Sequence, residues 1–187
     1  MTRIGKDEYY MKIANVVALR STCIRHQFGC VIVKNDQIIS TGYNGAVKGG
    51  RHCIDSECIR DKLNISSGTK IEICNAVHSE QNALLQAGKD AYGGTLYVNG
   101  TPCILCSKMI INAGIKRVVI PIGDDYPDRN GIDLLNELRI DIGYSYHSVY
   151  NDAVSAIRNV IKDDLFDSES FDNDKREDIV KILKSYF

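Results

Sequence analysis

The chain has 187 residues, 44% hydrophobic and 25% charged, with a formal net charge of −1. That composition suits one globular domain with its own core and a terminal appendage, and it leaves no room for a second full domain. No long basic run appears, which excludes a nucleic-acid surface built on bulk electrostatics; a small anionic ligand would need only local cations. Residues 1–10 carry charges where a secretory signal would carry an apolar core, and no apolar run reaches the roughly 18 residues of a membrane span. The expectation is therefore a cytoplasmic protein with no membrane and no nucleic acid among its partners.

In chain order, Asp7 is expected to cap a helix running to Arg20, because Ile13, Val16, Val17 and the stem of Arg20 recur with a period near 3.6. Residues 29–34 and 37–43 are rich in β-branched side chains and flank Asn35-Asp36, which predicts a hairpin. From 44 to 73 the chain turns glycine-rich and loses long apolar runs, so a long ordered loop is expected, with a short helix near 56–63. Residues 79–86 read as a helix closed by Gly88, 95–99 as a strand, 103–113 as a helix stopped by Gly114, and 117–121 as an apolar buried strand. A helix over 132–138 and a strand over 140–144 follow. The alternation of strand and helix predicts an α/β sandwich whose later strands are parallel, with its site at their carboxyl ends. Beyond it, residues 149–161 and an apolar stripe through Ile179, Val180, Ile182, Leu183, Tyr186 and Phe187 predict a helical extension. Its apolar stripe needs cover from the same chain or from a second subunit.

Seven cysteines, at 23, 30, 53, 58, 74, 103 and 106, make an odd set whose spacings in a reducing compartment point to metal rather than disulfides. Two stretches at predicted helix starts carry the chemistry: His78-Ser79-Glu80 and Pro102-Cys103-Ile104-Leu105-Cys106. Two thiolates and an imidazole fill three positions of a tetrahedral zinc and leave the fourth for water, which is a catalytic rather than a structural set. Cys103 and Cys106, at i and i+3, share a helix face, and the helix N-terminus favours their thiolates. Glu80 is left free for proton work. Zinc lowers the pKa of a bound water from about 15.7 to about 7, and a nearby carboxylate can carry its proton to a ring nitrogen and then to a departing amine. A lone Cys-x-x-Cys also occurs in redox motifs and zinc knuckles, but joined to His-x-Glu and a preceding proline it is the pattern of zinc nucleobase deaminases. The alternative is a closed knuckle with Glu80 as a solvated helix residue.

Through these motifs, and through Arg20-Ser21-Thr22-Cys23, Phe28-Gly29-Cys30-Val31-Ile32-Val33, Ser40-Thr41-Gly42-Tyr43-Asn44-Gly45, Gly49-Gly50 and Ala113-Gly114-Ile115-Lys116, residues 8–144 resemble the deoxycytidylate deaminase family within the cytidine deaminase superfamily. The Gly-Tyr-Asn-Gly stretch followed by a long loop sets the chain apart from tRNA adenosine deaminases, whose connection there is much shorter. The resemblance implies a three-layer α/β/α sandwich on a central mixed five-stranded sheet, residues 1–148, with the extension at 149–187. It further implies zinc-dependent hydrolysis of dCMP to dUMP for thymidylate synthesis. The family's usual form is a homo-oligomer, a hexamer, switched on by dCTP and off by dTTP with Mg2+. Ser79 is a departure, since the family commonly has alanine between the histidine and the glutamate.

By the same resemblance Asn44 would hold the sugar and base and Tyr126 would lie against the ring, although Asn44 equally suits a turn and Tyr126 an ordinary loop. For the 5′-phosphate the candidates are Arg20, Arg25 and Lys48, with Arg20 first; a cation at a helix C-terminus is also a simple dipole partner. Asn44, Gly45, Lys48, Gly49 and Gly50 resemble the family's effector loop, where glycines let backbone N–H groups approach a triphosphate. Cys23, Cys53, Cys58 and Cys74 resemble the ligands of a second, structural zinc, with His52 or His26 as alternates, while Cys30 belongs to the core. The rival activities are deamination of dCTP or of both nucleotides, and of a free nucleoside or RNA base. A rival of another class is a non-catalytic, zinc-stabilised nucleotide sensor.

Overall fold

The protein is described by a computed structural model covering residues 3–123 and 129–145, so Tyr126 and the extension at 149–187 lie outside the described residues. Helix α1 (Lys6–Ala18) leads into the hairpin of β1 (Gly29–Lys34) and β2 (Gln37–Tyr43). Asn35 and Asp36 both take positive φ, 51° and 64°, as a tight turn between right-twisted strands requires. A small ribbon of β3 (Gly45–Ala46) and β4 (Ala76–Val77) brackets the long loop, whose only α-helical turn is α2 (Ile59–Lys62). Then come α3 (Ser79–Ala87), β5 (Thr95–Val98), α4 (Ile104–Asn112), β6 (Arg117–Pro121), α5 (Asn130–Glu137) and β7 (Asp141–Ser145).

The main sheet has five strands in the order β2-β1-β5-β6-β7. β1 pairs antiparallel with β2 and β5, and β5-β6 and β6-β7 are parallel, which gives the mixed sheet expected. Side-chain alternation assigns the layers. Val31, Val33, Tyr97 and Val119 face Tyr10, Met11 and Ala14 of α1. Their neighbours Cys30, Ile32, Leu96, Val98, Val118 and Ile120 pack with Ala83 and Leu84 of α3, Ile110 of α4, and Ile132 and Leu135 of α5. The result is α/β/α, with Cys30 in the core.

Two expectations for α1 need correction. Its N-cap is Gly5 without a side-chain cap, and Asp7 instead pairs with Arg117 of β6 through two 2.8 Å contacts while accepting the Tyr97 hydroxyl at 2.9 Å. Its buried face is Tyr10, Met11, Ala14 and Ala18, and Val16 is 65% exposed. The reason is close approach: a Cβ on Gly29 would stand 2.0 Å from the Ala14 carbonyl oxygen and 2.5 Å from the Ala18 nitrogen, so alanines meet β1 there, while Ile13 and Val17 pack partly buried beside them and Val16 turns outward.

On the other face β2 approaches α3 just as tightly, since a Cβ on Gly42 would lie 2.2 Å from the Ser79 carbonyl oxygen and 2.4 Å from the Ala83 nitrogen. The Ser40 hydroxyl donates to the Ala83 carbonyl at 2.8 Å. Gln86 accepts from the Thr41 N–H and Asn82 donates to the Tyr43 carbonyl, so α3 also covers the free edge of β2. Among the described residues no helix is long and apolar enough to cross a membrane.

Candidate active site

Two helix N-termini meet at the carboxyl end of the sheet. His78 is the N-cap of α3 and Cys103 the N-cap of α4, so both ligand motifs sit where backbone N–H groups point outward and favour anions. At the first helix a reciprocal cap fixes the geometry, with the His78 N–H donating to Gln81 Oε1 at 3.0 Å. His78 Nδ1 lies 3.5 Å from Cys103 Sγ and 3.4 Å from Cys106 Sγ, and all three donor atoms lie within 4.8 Å of one another. A tetrahedral zinc with Zn–S of about 2.3 Å and Zn–N of about 2.0 Å holds nitrogen and sulfur about 3.5 Å apart. The donor set therefore fits zinc in both chemistry and spacing.

The electrostatics agree. Cys103 is pulled down to about 4, first by its hydrogen bond with Cys106 and then, against burial, by His78. Cys106 is pushed up by the same contact with Cys103, with burial and Glu80 adding to it. His78 is raised by its contact with Cys103. Glu80, only 5% exposed, is not one of the three donors. Burial pushes its carboxyl up, opposed by His78, by its own backbone N–H and by the Ser79 hydroxyl.

A pocket opens beside this centre, lined by Asn44, Phe28, Val98, Thr101, His78 and Glu80, and on its outer side by Arg25, His26, Arg60 and Ser67. Asn44 is buried and heavily engaged. Its Oδ1 accepts from the Phe28 N–H at 2.8 Å and from Ser21 Oγ at 2.6 Å, and its Nδ2 donates to the His26 carbonyl at 2.9 Å. It thus ties the end of β2 to the start of β1 while lining the pocket. His26 stacks on Phe28, with ring centroids 5.8 Å apart.

Arg25 donates to the Ile65 carbonyl at 2.9 Å and to Ser67 Oγ at 3.1 Å and lies 3.3 Å from Asp61, and Arg60 donates to the carbonyls of Ser66 and Thr69. Sequence reasoning left Arg60, Ser67 and Phe28 out of the site, and no local signal marks them: Arg60 and Ser67 arrive only when the long loop folds back, and Phe28 only through the connection from α1 to β1. Arg20 lies exposed just past α1, outside the residues that line the pocket.

Of the glycine-rich stretch, Asn44 reaches the pocket, Gly45 enters β3, Lys48 and Gly49 are exposed, and Gly50 lines a second hollow with Val47, Arg51 and Glu57. Cys23, Cys53, Cys58 and Cys74 all border the main pocket, and Cys53 is raised by burial and then by Cys58, Cys23 and Cys74. Among the described residues, His78, Cys103 and Cys106 are the group of donors drawn to within metal-ligand reach of one another.

A mixed five-stranded sheet that presents His-x-Glu and Cys-x-x-Cys from two adjoining helix N-termini defines a zinc-binding protein of the cytidine deaminase-like fold. Residues 4–122 match the cytidine and deoxycytidylate deaminase zinc-binding region, and the chain belongs to that family. It is 40% identical to the deoxycytidylate deaminase of Schizosaccharomyces pombe over 60% of this chain and 36% of that one. It is 42% identical to the deoxycytidylate deaminase of Mycobacterium phage D29 over 65% of this chain and 98% of that one. The dCMP deaminase of cyanophage S-TIM5, solved with dCMP and dUMP, matches with a TM-score of 0.62 at 30% identity, over 76% of this chain and all of the other. The matched region spans 36% and 38% of the two yeast relatives and nearly the whole of the D29 enzyme.

Proposed function

We propose that the chain is a zinc-dependent hydrolase that converts dCMP and water to dUMP and ammonia. The observation that carries this reading is a buried carboxylate, Glu80, beside a three-donor centre and inside a pocket that also holds Arg25. When bound, zinc supplies a water acidic enough to be a nucleophile near neutral pH. Glu80 takes a proton from the attacking water and hands it to the ring nitrogen next to the reacting carbon, then takes the second proton from the hydroxyl now on that carbon and delivers it to the amino group as the carbon–nitrogen bond breaks. Burial, which raises Glu80 above the usual carboxyl range, suits a group that must both accept and return a proton. Asn44, which lines the pocket, is assigned to the sugar and base, and Tyr126 is assigned to the ring on the family resemblance alone. Arg25, already held by Ser67 and the Ile65 carbonyl, is better placed for the 5′-phosphate than Arg20.

Regulation by dCTP and dTTP with Mg2+ at residues 44–50 goes with this reading, as do a hexamer and a cytoplasmic location. The support for an effector is the hollow next to Gly50, bordered by Arg51. A structural zinc on Cys23, Cys53, Cys58 and Cys74 is proposed as well, supported by all four lining the pocket and by the influence of Cys58, Cys23 and Cys74 on Cys53. Metal analysis tests it: about two zinc ions per chain are expected, and a value near one would remove the structural site.

The function is tested by assaying ammonia release from dCMP, dCTP, CMP and deoxycytidine, each with and without dCTP or dTTP. The expected result is preference for dCMP, activation by dCTP and inhibition by dTTP. Preference for dCTP would transfer the assignment to the triphosphate, and no release from any cytosine compound by zinc-loaded protein would leave a nucleotide sensor.

A further inference from the structure

The long loop folds around two guanidinium groups. Arg60, in the short helix α2, donates through Nη2 to the carbonyls of Ser66 at 2.6 Å and Thr69 at 2.7 Å. Arg25, on the connection from α1 to β1, donates to the Ile65 carbonyl at 2.9 Å and to Ser67 Oγ at 3.1 Å. The two cations therefore grip interleaved residues of one short turn, 65–69, and both line the pocket that holds His78 and Glu80. Like charges brought this near one another are unfavourable unless something negative answers them. Asp61 answers the first, 3.3 Å from Arg25 Nη1. Nothing in the described residues answers the second. Arg60 forms no ion pair there, its Nε is buried without a hydrogen-bond partner, and its Nη1 has no protein acceptor. Glu57, three residues before it, is engaged with Lys62 at 3.7 Å.

We propose that Arg60 is the second arm of a two-arginine clamp on the substrate's phosphate, and that through it the long loop selects a nucleotide over a nucleoside. The proposal rests on the deaminase reading given above for the identity of the ligand, a nucleoside monophosphate. A carbonyl bond fixes a guanidinium in place without neutralising it, so Arg60 keeps its full charge and a spare edge of donors for an anion, and a planar fork of donors suits phosphate oxygens. Because Ser66 and Thr69 already hold the side chain, its rotamer freedom is lost when the loop folds and not when the ligand binds. Asp61 tempers the other arm, which leaves the excess positive charge of the clamp on Arg60. Deoxycytidine shares the base and sugar of dCMP but has no phosphate, so it gains nothing from either arm.

The test compares Arg60→Ala and Arg60→Lys with wild type on dCMP and deoxycytidine. For Arg60→Ala, KM for dCMP should rise by about ten- to a hundredfold, the worth of hydrogen bonds to a charged group, while kcat and the deoxycytidine kinetics stay close to wild type. Arg60→Lys, which keeps the charge, should recover part of that loss. Removing both arms, in Arg25→Ala/Arg60→Ala, should abolish the preference for dCMP over deoxycytidine. Calorimetric titration of zinc-loaded protein in the Glu80→Gln background, where nothing turns over, should show the Arg60→Ala loss in affinity for dCMP and none for deoxycytidine. A wild-type KM for dCMP in Arg60→Ala overturns the proposal. So does an equal loss on both substrates, the mark of a residue that only struts the loop, or a Lys variant no better than Ala. If wild-type protein deaminates nothing, the functional reading fails by itself, and the titration still decides whether Arg60 holds the phosphate.

Discussion

Gly42→Ala probes the contact on which the site's geometry depends. The added Cβ would stand 2.2 Å from the Ser79 carbonyl oxygen, 2.4 Å from the Ala83 nitrogen and 3.1 Å from the Ala83 Cα. All three are backbone atoms, so no rotamer change relieves the clash, and α3 must recede from β2 by about 1 Å to restore ordinary van der Waals separation. Overpacking of this kind costs about 1 to 3 kcal/mol, which for a chain of this size lowers Tm by roughly 2 to 12 °C. Because the receding turn carries His78, Ser79 and Glu80, the same shift should reduce kcat by up to about a hundredfold. Thermal unfolding followed by circular dichroism and steady-state ammonia release measure the two effects. A variant that melts within about 1 °C of wild type and turns over dCMP at the wild-type rate would refute the claim that this contact positions the catalytic helix.

Glu80→Gln should keep zinc and lose on the order of 10² to 10⁴ in kcat; retained turnover would end its role as proton carrier. Arg25→Ala should raise KM for dCMP by about ten- to a hundredfold, the worth of hydrogen bonds to a charged group, and leave deoxycytidine kinetics nearly unchanged. An equal effect on both substrates would deny it the phosphate. The Asp7–Arg117 pair predicts an acid limb of stability. Arg117's hydrogen bonds hold the Asp7 carboxyl below its ordinary value of 3.8, so the stabilisation is complete above that value and disappears as pH falls through the lower folded-state value. Tm measured from pH 7 downward should therefore fall less steeply at the acid end for Asp7→Asn than for wild type, and parallel curves would exclude the pair as a source of acid lability.

Much of this was legible in the chain because the signals are local. The hairpin at Asn35-Asp36, the alternation in residues 29–34 and 95–98, and the helix starts at His78 and Cys103 each follow from side-chain period or turn chemistry within a few residues. The face of α1 was misjudged for the opposite reason. Period 3.6 alone cannot distinguish a stripe containing Val16 from one containing Ala14 and Ala18, and the choice was made by Gly29, which lies beyond the helix and admits only small neighbours. Asp7 likewise satisfied the local rule for a cap, yet a guanidinium 110 residues away offered two hydrogen bonds that a cap could not match.

The sequence by itself determined the donor set: two cysteines, one histidine and a spare carboxylate at helix starts match a zinc-binding site, and the proposed proton-carrying role of Glu80 follows from that carboxylate being left over. Only the tertiary structure decided which residues share the pocket with Glu80. Arg25 and Phe28 arrive there on the connection from α1 to β1 and Arg60 and Ser67 on the long loop, and Arg20 does not, because the paths of such segments are governed by distant hydrogen bonds such as those of Asn44 to Phe28 and His26. Ser79 belongs to both levels. The residue is visible in the sequence as a hydroxyl beside the glutamate, but its burial and its 2.8 Å bond to Glu80 Oε2 exist only once β2 has pressed α3 into place.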